Sequence, residues 1–177
     1  MHVGILIATL LTHAGAVPPE RMAQLLARSV GYDKNLKARA GDKLVIAIVH
    51  NPTDAAAAEH ATQMQKAFAS LSGVRVQGIP IEVVAFAFAK TFAADLKDKQ
   101  VDIVYACPGF ADLAGITSAS QKLKLLSVGS AADVERGLSL GAGMDGDKVV
   151  LVVNRASAKA EGVDFADQLL SIAKAIK

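Results

Sequence analysis

Cysteine is nearly absent. Cys107 stands alone among 177 residues, so an internal disulfide is excluded and a thiolate metal site has no second ligand. Tryptophan is missing, and two tyrosines and six phenylalanines are thinly spread. No aromatic residues alternate with basic ones, so nucleic-acid bases have no stacking platform. A strong charge of either sign is missing too. Lys plus Arg exceed Asp plus Glu by two, and the densest basic group, Lys34, Lys37, Arg39 and Lys43, reads as a solvated loop, so no nucleic-acid partner is expected. No apolar run approaches the roughly 20 residues of a membrane span. What is abundant is apolar residue, 52% against 20% charged. That suits one domain with a sheet covered on both faces and argues against extensive disorder.

Motifs of catalysis are also missing. Gly137, Gly141 and Gly143 precede a hairpin, whereas a dinucleotide-binding loop must join a strand to a helix N-terminus. There is no G-x-x-x-x-G-K-[ST] and no G-x-S-x-G. His50 and His60 lie ten positions apart without the three or four clustered ligands zinc requires. Carboxylates are dispersed, and none pairs locally for acid–base work. No catalytic residue, metal or cofactor is expected, and an enzyme is the third of three readings.

The opening stretch, MHVGILIATLLTHAGAVPPE, has an uncharged apolar run from Val3 to Leu11 followed by Ala14-Gly15-Ala16. That is the layout of a secretory signal peptide over 1–16 without its basic n-region; the alternative is a buried first strand or helix. Export places the mature chain, 17–177, in an oxidising space. There a lone thiol is a liability unless it is packed away, so Cys107 reads as a small buried residue. A reactive thiolate would need a base or cation beside it, and none is close in sequence.

The rest alternates strand with helix. Met22, Leu25, Leu26 and Val30 recur at helical spacing after Pro18-Pro19-Glu20, and Gly31 stops that helix. KLVIAIVH is continuously apolar, the mark of a strand buried on both faces. Asn51 or Thr53 is expected to cap the Ala-rich helix that follows. IPIEVVAFAF is a second strand, alternating in its far half, and Thr91 is expected to cap a short helix after it. VDIVYA precedes a helix from about 111 to 119, and KLLSVG precedes a short helical turn. Four parallel strands are expected near 44–49, 80–86, 101–106 and 124–128, with right-handed crossovers. GLSLGAG and KVVLVVN flank Asp145-Gly146, a strong hairpin signal, so an antiparallel pair at 138–153 should continue the sheet. A closing helix is expected from about Asp164, with Phe165, Leu169, Ile172 and Ile176 along one stripe. The fold class is α/β, a Rossmann-like three-layer sandwich in one domain. Ile46, Ile48, Ile103, Val104, Val150 and Val152 should be buried.

In such sheets ligands bind beyond the carboxyl ends of the strands, at the switch in strand order. The residues delivered there are His50, Asn51 and Thr53 after the first strand, Cys107, Pro108 and Gly109 after the third, and Gly129-Ser130 after the fourth. Asn51 to Asp54 also opens a helix whose free N–H groups suit a small anion. Ordinary caps and turns explain the same residues.

VVLVVNRASAKAEGVDFADQLLSIAKAI, together with the KLVIAIVHNP and VDIVYACPG strands and the early helix, resembles the YfiR-like periplasmic family. The resemblance implies an exported Rossmann-like dimer that restrains an inner-membrane diguanylate cyclase by binding its periplasmic sensor domain. The relatives' cysteine pairs are not matched, so redox control does not carry over. The second reading is a small-solute-binding protein comparable to one lobe of a transport receptor.

Overall fold

The computed structural model describes residues 16–176, so the expected leader lies outside the described residues except for Ala16. The chain alternates α1 (Pro19–Val30), α2 (Leu36–Arg39), β1 (Leu44–His50), α3 (Ala55–Ala69), β2 (Arg75–Val76), β3 (Ile79–Ala87) and α4 (Phe92–Asp98). Then come β4 (Ile103–Ala106), α5 (Ala114–Leu123), β5 (Leu126–Ser130), α6 (Ala131–Glu135), β6 (Leu140–Asp145), β7 (Lys148–Asn154), α7 (Arg155–Ala160), α8 (Asp167–Ile172) and β8 (Lys174–Ile176). One eight-stranded sheet runs in the order β2-β3-β1-β4-β5-β6-β7-β8. The five strands β3-β1-β4-β5-β6 are parallel, β6 and β7 form an antiparallel hairpin, and β8 adds parallel to β7.

Continuous apolar runs become the central strands because both faces are covered. Ile46, Ile48, Ile103, Leu126 and Leu140 pack under α1, α3, α7 and α8. Val45, Ala47, Val49 and Val104 pack under α4 and α5, against Phe92, Leu96 and Ile116. Each fully buried Leu or Ile side chain contributes about 1.5–3 kcal/mol, and truncating Ile46 or Ile103 to Ala would open a cavity in the central strands. Asp102 fastens the two innermost strands: its carboxylate accepts from Val45 N at 2.8 Å, and its own N–H reaches Val45 O.

The architecture is the expected three-layer α/β sandwich, with local differences that include a short extra strand, β2, paired with the start of β3. The hairpin loop is Gly146-Asp147, one residue later than the Asp-Gly centre, because Asp145 pairs with Lys148. Gly146 takes φ +57 at the first loop position, the glycine placement of a two-residue hairpin turn. Val150 is half-buried where full burial was expected, close to the exposed hairpin tip at 145–148. The closing helix is the largest correction. Only Asp167–Ile172 is helical, Phe165 sits in a bridge to Asp33, and Ile172 is 68% exposed. The last residues turn extended at Ala173 and pair with the outer edge of β7, Asn154 opposite Ile176. Open ladder groups on β7 outweigh the far part of the helical stripe, where Ile172 has no surface to cover while Leu169 is buried.

Candidate functional site

β1 and β4 are neighbours whose connections leave on opposite sides, so the switch in strand order lies between them. Beyond their carboxyl ends, Asn51 folds its loop: Oδ1 accepts from Thr53 N at 3.1 Å and from Thr53 Oγ1 at 2.9 Å. Its Nδ2 spans the switch to Gly109 O at 3.4 Å. Neither Asn51 nor Thr53 caps α3. Asp54 does, accepting from Ala56 N and Ala57 N, because a carboxylate accepts both amides and suits the positive end of the helix. Those two amides, offered to an anion in the sequence reading, are thus held by the chain's own negative charge. Gly109 has φ +105, and a Cβ there would run into the Asp54 carboxylate. Only glycine lets the two loops approach this closely.

His50 closes β1 half-buried, with Nδ1 lacking a partner among the described residues. Cys107 is 1% exposed, and burial pushes its thiol up to about 12. It is a protonated packing residue at neutral pH, not a nucleophile.

Ser130 belongs to a different corner. It caps α6 in a reciprocal box with Asp133: its Oγ donates to Asp133 Oδ2 at 2.6 Å and accepts from Asp133 N at 3.3 Å. Arg136 donates to the other carboxylate oxygen at 2.9 Å. Ser130 and Pro108 line a cleft of about 190 Å³ with Met22, His60, Tyr105 and Ala142. The structure therefore divides the expected residues. His50, Asn51, Thr53 and Gly109 gather at the switch, Pro108 and Ser130 face the cleft, and Cys107 is buried.

The sequence set His60 aside as a zinc ligand and gave Tyr105 no role. Their rings stack 6.0 Å apart, and His60 Nε2 lies 3.0 Å from Tyr105 Oη. Burial lowers the His60 pKa from 6.5, so the ring is neutral at pH 7, and burial raises Tyr105 further from ionisation. The signal for Tyr105 was present: it lies two residues before Cys107, and both pack into the same core. The partnership with His60 needed the packing of α3 on the sheet. A neutral polar pair in an apolar cleft can offer a hydrogen bond to a small solute. It supplies no activated nucleophile. Among the described residues no three His, Cys, Asp or Glu side chains gather for a metal.

At the opposite end of the sheet, Glu161 is fully buried. Its Oε1 accepts from Ser127 Oγ at 2.5 Å, and Oε2 accepts from Ser127 N at 2.9 Å and Ser139 Oγ at 2.5 Å. Burial pushes its carboxyl from 4.5 up to about 7, against these hydrogen bonds and the Arg39 charge, which pull it down. Beside it, buried Asp33 pairs with Arg39 at 2.6 Å. Glu161 joins its loop to the sheet, Asp33 joins its turn to the loop at Asp164, and both lie away from the switch.

The mixed α/β fold is shared with solved structures of low sequence identity. One solved relative is the "ABC domain in complex with L-Trp" from Streptococcus pneumonia, with TM-score 0.59 and 15% identity over 90% of this chain. Another is a conserved domain protein from Vibrio cholerae O1 biovar El Tor, with TM-score 0.60 and 18% identity over 90% of this chain. The chain spans 62% and 60% of their lengths, and at such identities the likeness is one of fold. No curated protein sequence matches significantly. Residues 23–174 match the YfiR/HmsC-like family model. The chain belongs to the YfiR/HmsC-like family.

Proposed function

We propose that the protein is an exported regulatory binding protein, a single domain over 17–177, that works in the periplasm by protein–protein contact. Its partner would be the sensor domain of an inner-membrane diguanylate cyclase, which it restrains, acting as a homodimer. The observation that carries this is the family match across 23–174, nearly all of the described chain. The site chemistry agrees with binding rather than turnover: the thiol is protonated and buried, Asn51 and Thr53 at the switch satisfy each other, and Ser130 is spent as a cap. Among the described residues no helix is long and apolar enough to cross a membrane.

The cleft around His60 and Tyr105 supports a second reading, capture of a small solute, and one protein of this fold was solved with L-Trp. Its size decides against giving this first place. About 190 Å³ lies below the roughly 300–1,000 Å³ usual for ligand pockets. Affinity capture of the tagged protein from the periplasm, with cyclic di-GMP measured in a strain lacking the gene, tests the first reading. A co-purifying membrane cyclase and raised cyclic di-GMP are expected. Cytoplasmic full-length protein, or unchanged cyclic di-GMP with no cyclase recovered, would refute it.

A further inference from the structure

β3 leaves a long edge open. Ile81–Ala87 pair with β1 on one side, while β2 covers only Ile79 and Pro80 on the other. No strand among the described residues pairs with the remainder of that edge. Phe88 N–H donates inward to His50 O. Peptide groups alternate in direction along a strand, so those of Ile81, Val83, Ala85 and Ala87 aim outward. Edges are usually blunted by lysine, proline, a bulge or shortness. Over 81–87 none of these is present, and the one charge, Glu82, is paired with Lys43 at 2.5 Å.

A groove of about 520 Å³ runs beside this edge, lined by Phe68, Leu71, Val74, Ile81 and Val83, with Arg75 among its walls. Val74 is 41% exposed. The Arg75 guanidinium donates to Gly78 O at 3.2 Å, and among the described residues no carboxylate pairs with it. Outward peptide groups beside a groove for alternate side chains are the two requirements of strand addition. We infer that the outer edge of β3 takes an extended segment of a partner protein, apolar at alternate positions and acidic at its carboxyl end. The segment runs antiparallel to β3, in line with β2, so that its carboxyl end meets Arg75.

A second copy fits poorly. Antiparallel self-pairing about Val84 sets Ala85 and Ala87 opposite Val83 and Ile81, and two methyls leave the groove unfilled. It also carries Lys90 towards Arg75, placing like charges together. The inference goes beyond the regulatory reading and does not need the partner to be a cyclase.

The test uses the full-length protein and a fluorescent acetylated peptide that alternates threonine with valine or phenylalanine and ends in aspartate. Anisotropy should show saturable binding. Methylating alternate peptide amides, or the Val83→Pro substitution, should weaken it about tenfold or more, because each removes edge hydrogen bonds. Val83→Pro takes away an outward N–H and leaves the β1 ladder intact, and circular dichroism checks that it folds. Arg75→Glu, an exposed change, should weaken the aspartate-ended peptide and favour a lysine-ended one. Absence of saturable binding, or equal binding to both variants and to the methylated peptide, would overturn the inference. So would a wild-type dimer that Val83→Pro dissociates, since a second copy would then occupy the edge.

Discussion

Replacing Glu161 with Gln should make the protein more stable at pH 8 and nearly unchanged at pH 4. The carboxyl is raised from 4.5 to about 7 by burial, so between those values the folded chain holds a proton that the unfolded chain has released. Stability then falls as pH rises through this window and is flat above it. Each tenfold change in proton affinity is about 1.4 kcal/mol, so the loss amounts to roughly 3 kcal/mol. Glutamine imitates the protonated acid. Its amide oxygen can accept from Ser127 N and Ser139 Oγ, and its amide nitrogen can donate to Ser127 Oγ in place of the present bond. His60 works in the opposite direction: its pKa is lowered, so its contribution is present above 6.5 and is lost as pH falls below it. That contribution is common to both proteins and cancels in their difference. Urea unfolding followed by far-UV circular dichroism suits a chain without tryptophan. The gap between Glu161→Gln and wild type should widen by about 3 kcal/mol from pH 4 to pH 8. A gap that stays constant with pH would refute the raised carboxyl.

Cys107→Ala should cost about 1 kcal/mol by denaturation and leave partner binding intact, as befits a buried thiol, and a thiol reagent should label the folded protein slowly. Gly109→Ala should cost about 2 kcal/mol or more, since it combines a positive φ with displacement of the Asp54 cap; thermal melting measures it. Arg39→Ala should cost about 3–5 kcal/mol in urea, because it leaves the buried Asp33 carboxylate without its cation.

Much of the fold was legible because its causes are local. Unbroken apolar runs such as Leu44 to Val49 can be satisfied only in a sheet covered on both sides, and Pro19 and Gly146 announce a helix start and a turn wherever the chain goes. Residues 51–54 announced a cap, but Asp54 takes that place while Asn51 folds its own loop and reaches Gly109 O in another loop. The closing segment was misread for a related reason. Its helical period is real, yet what ends the helix is the open edge of β7, formed by residues some twenty positions earlier.

Amino-acid order alone settled the alternation of strand and helix and the absence of a local catalytic motif. Each follows from neighbours within a few residues, where side-chain polarity and backbone preference act directly. Only the tertiary structure decided that His60 meets Tyr105, that Glu161 holds Ser127 and Ser139, and that β3 keeps an open edge beside a groove. Those depend on which distant surfaces pack together, and burial, which shifts a proton or leaves a peptide group unpaired, exists only once they have.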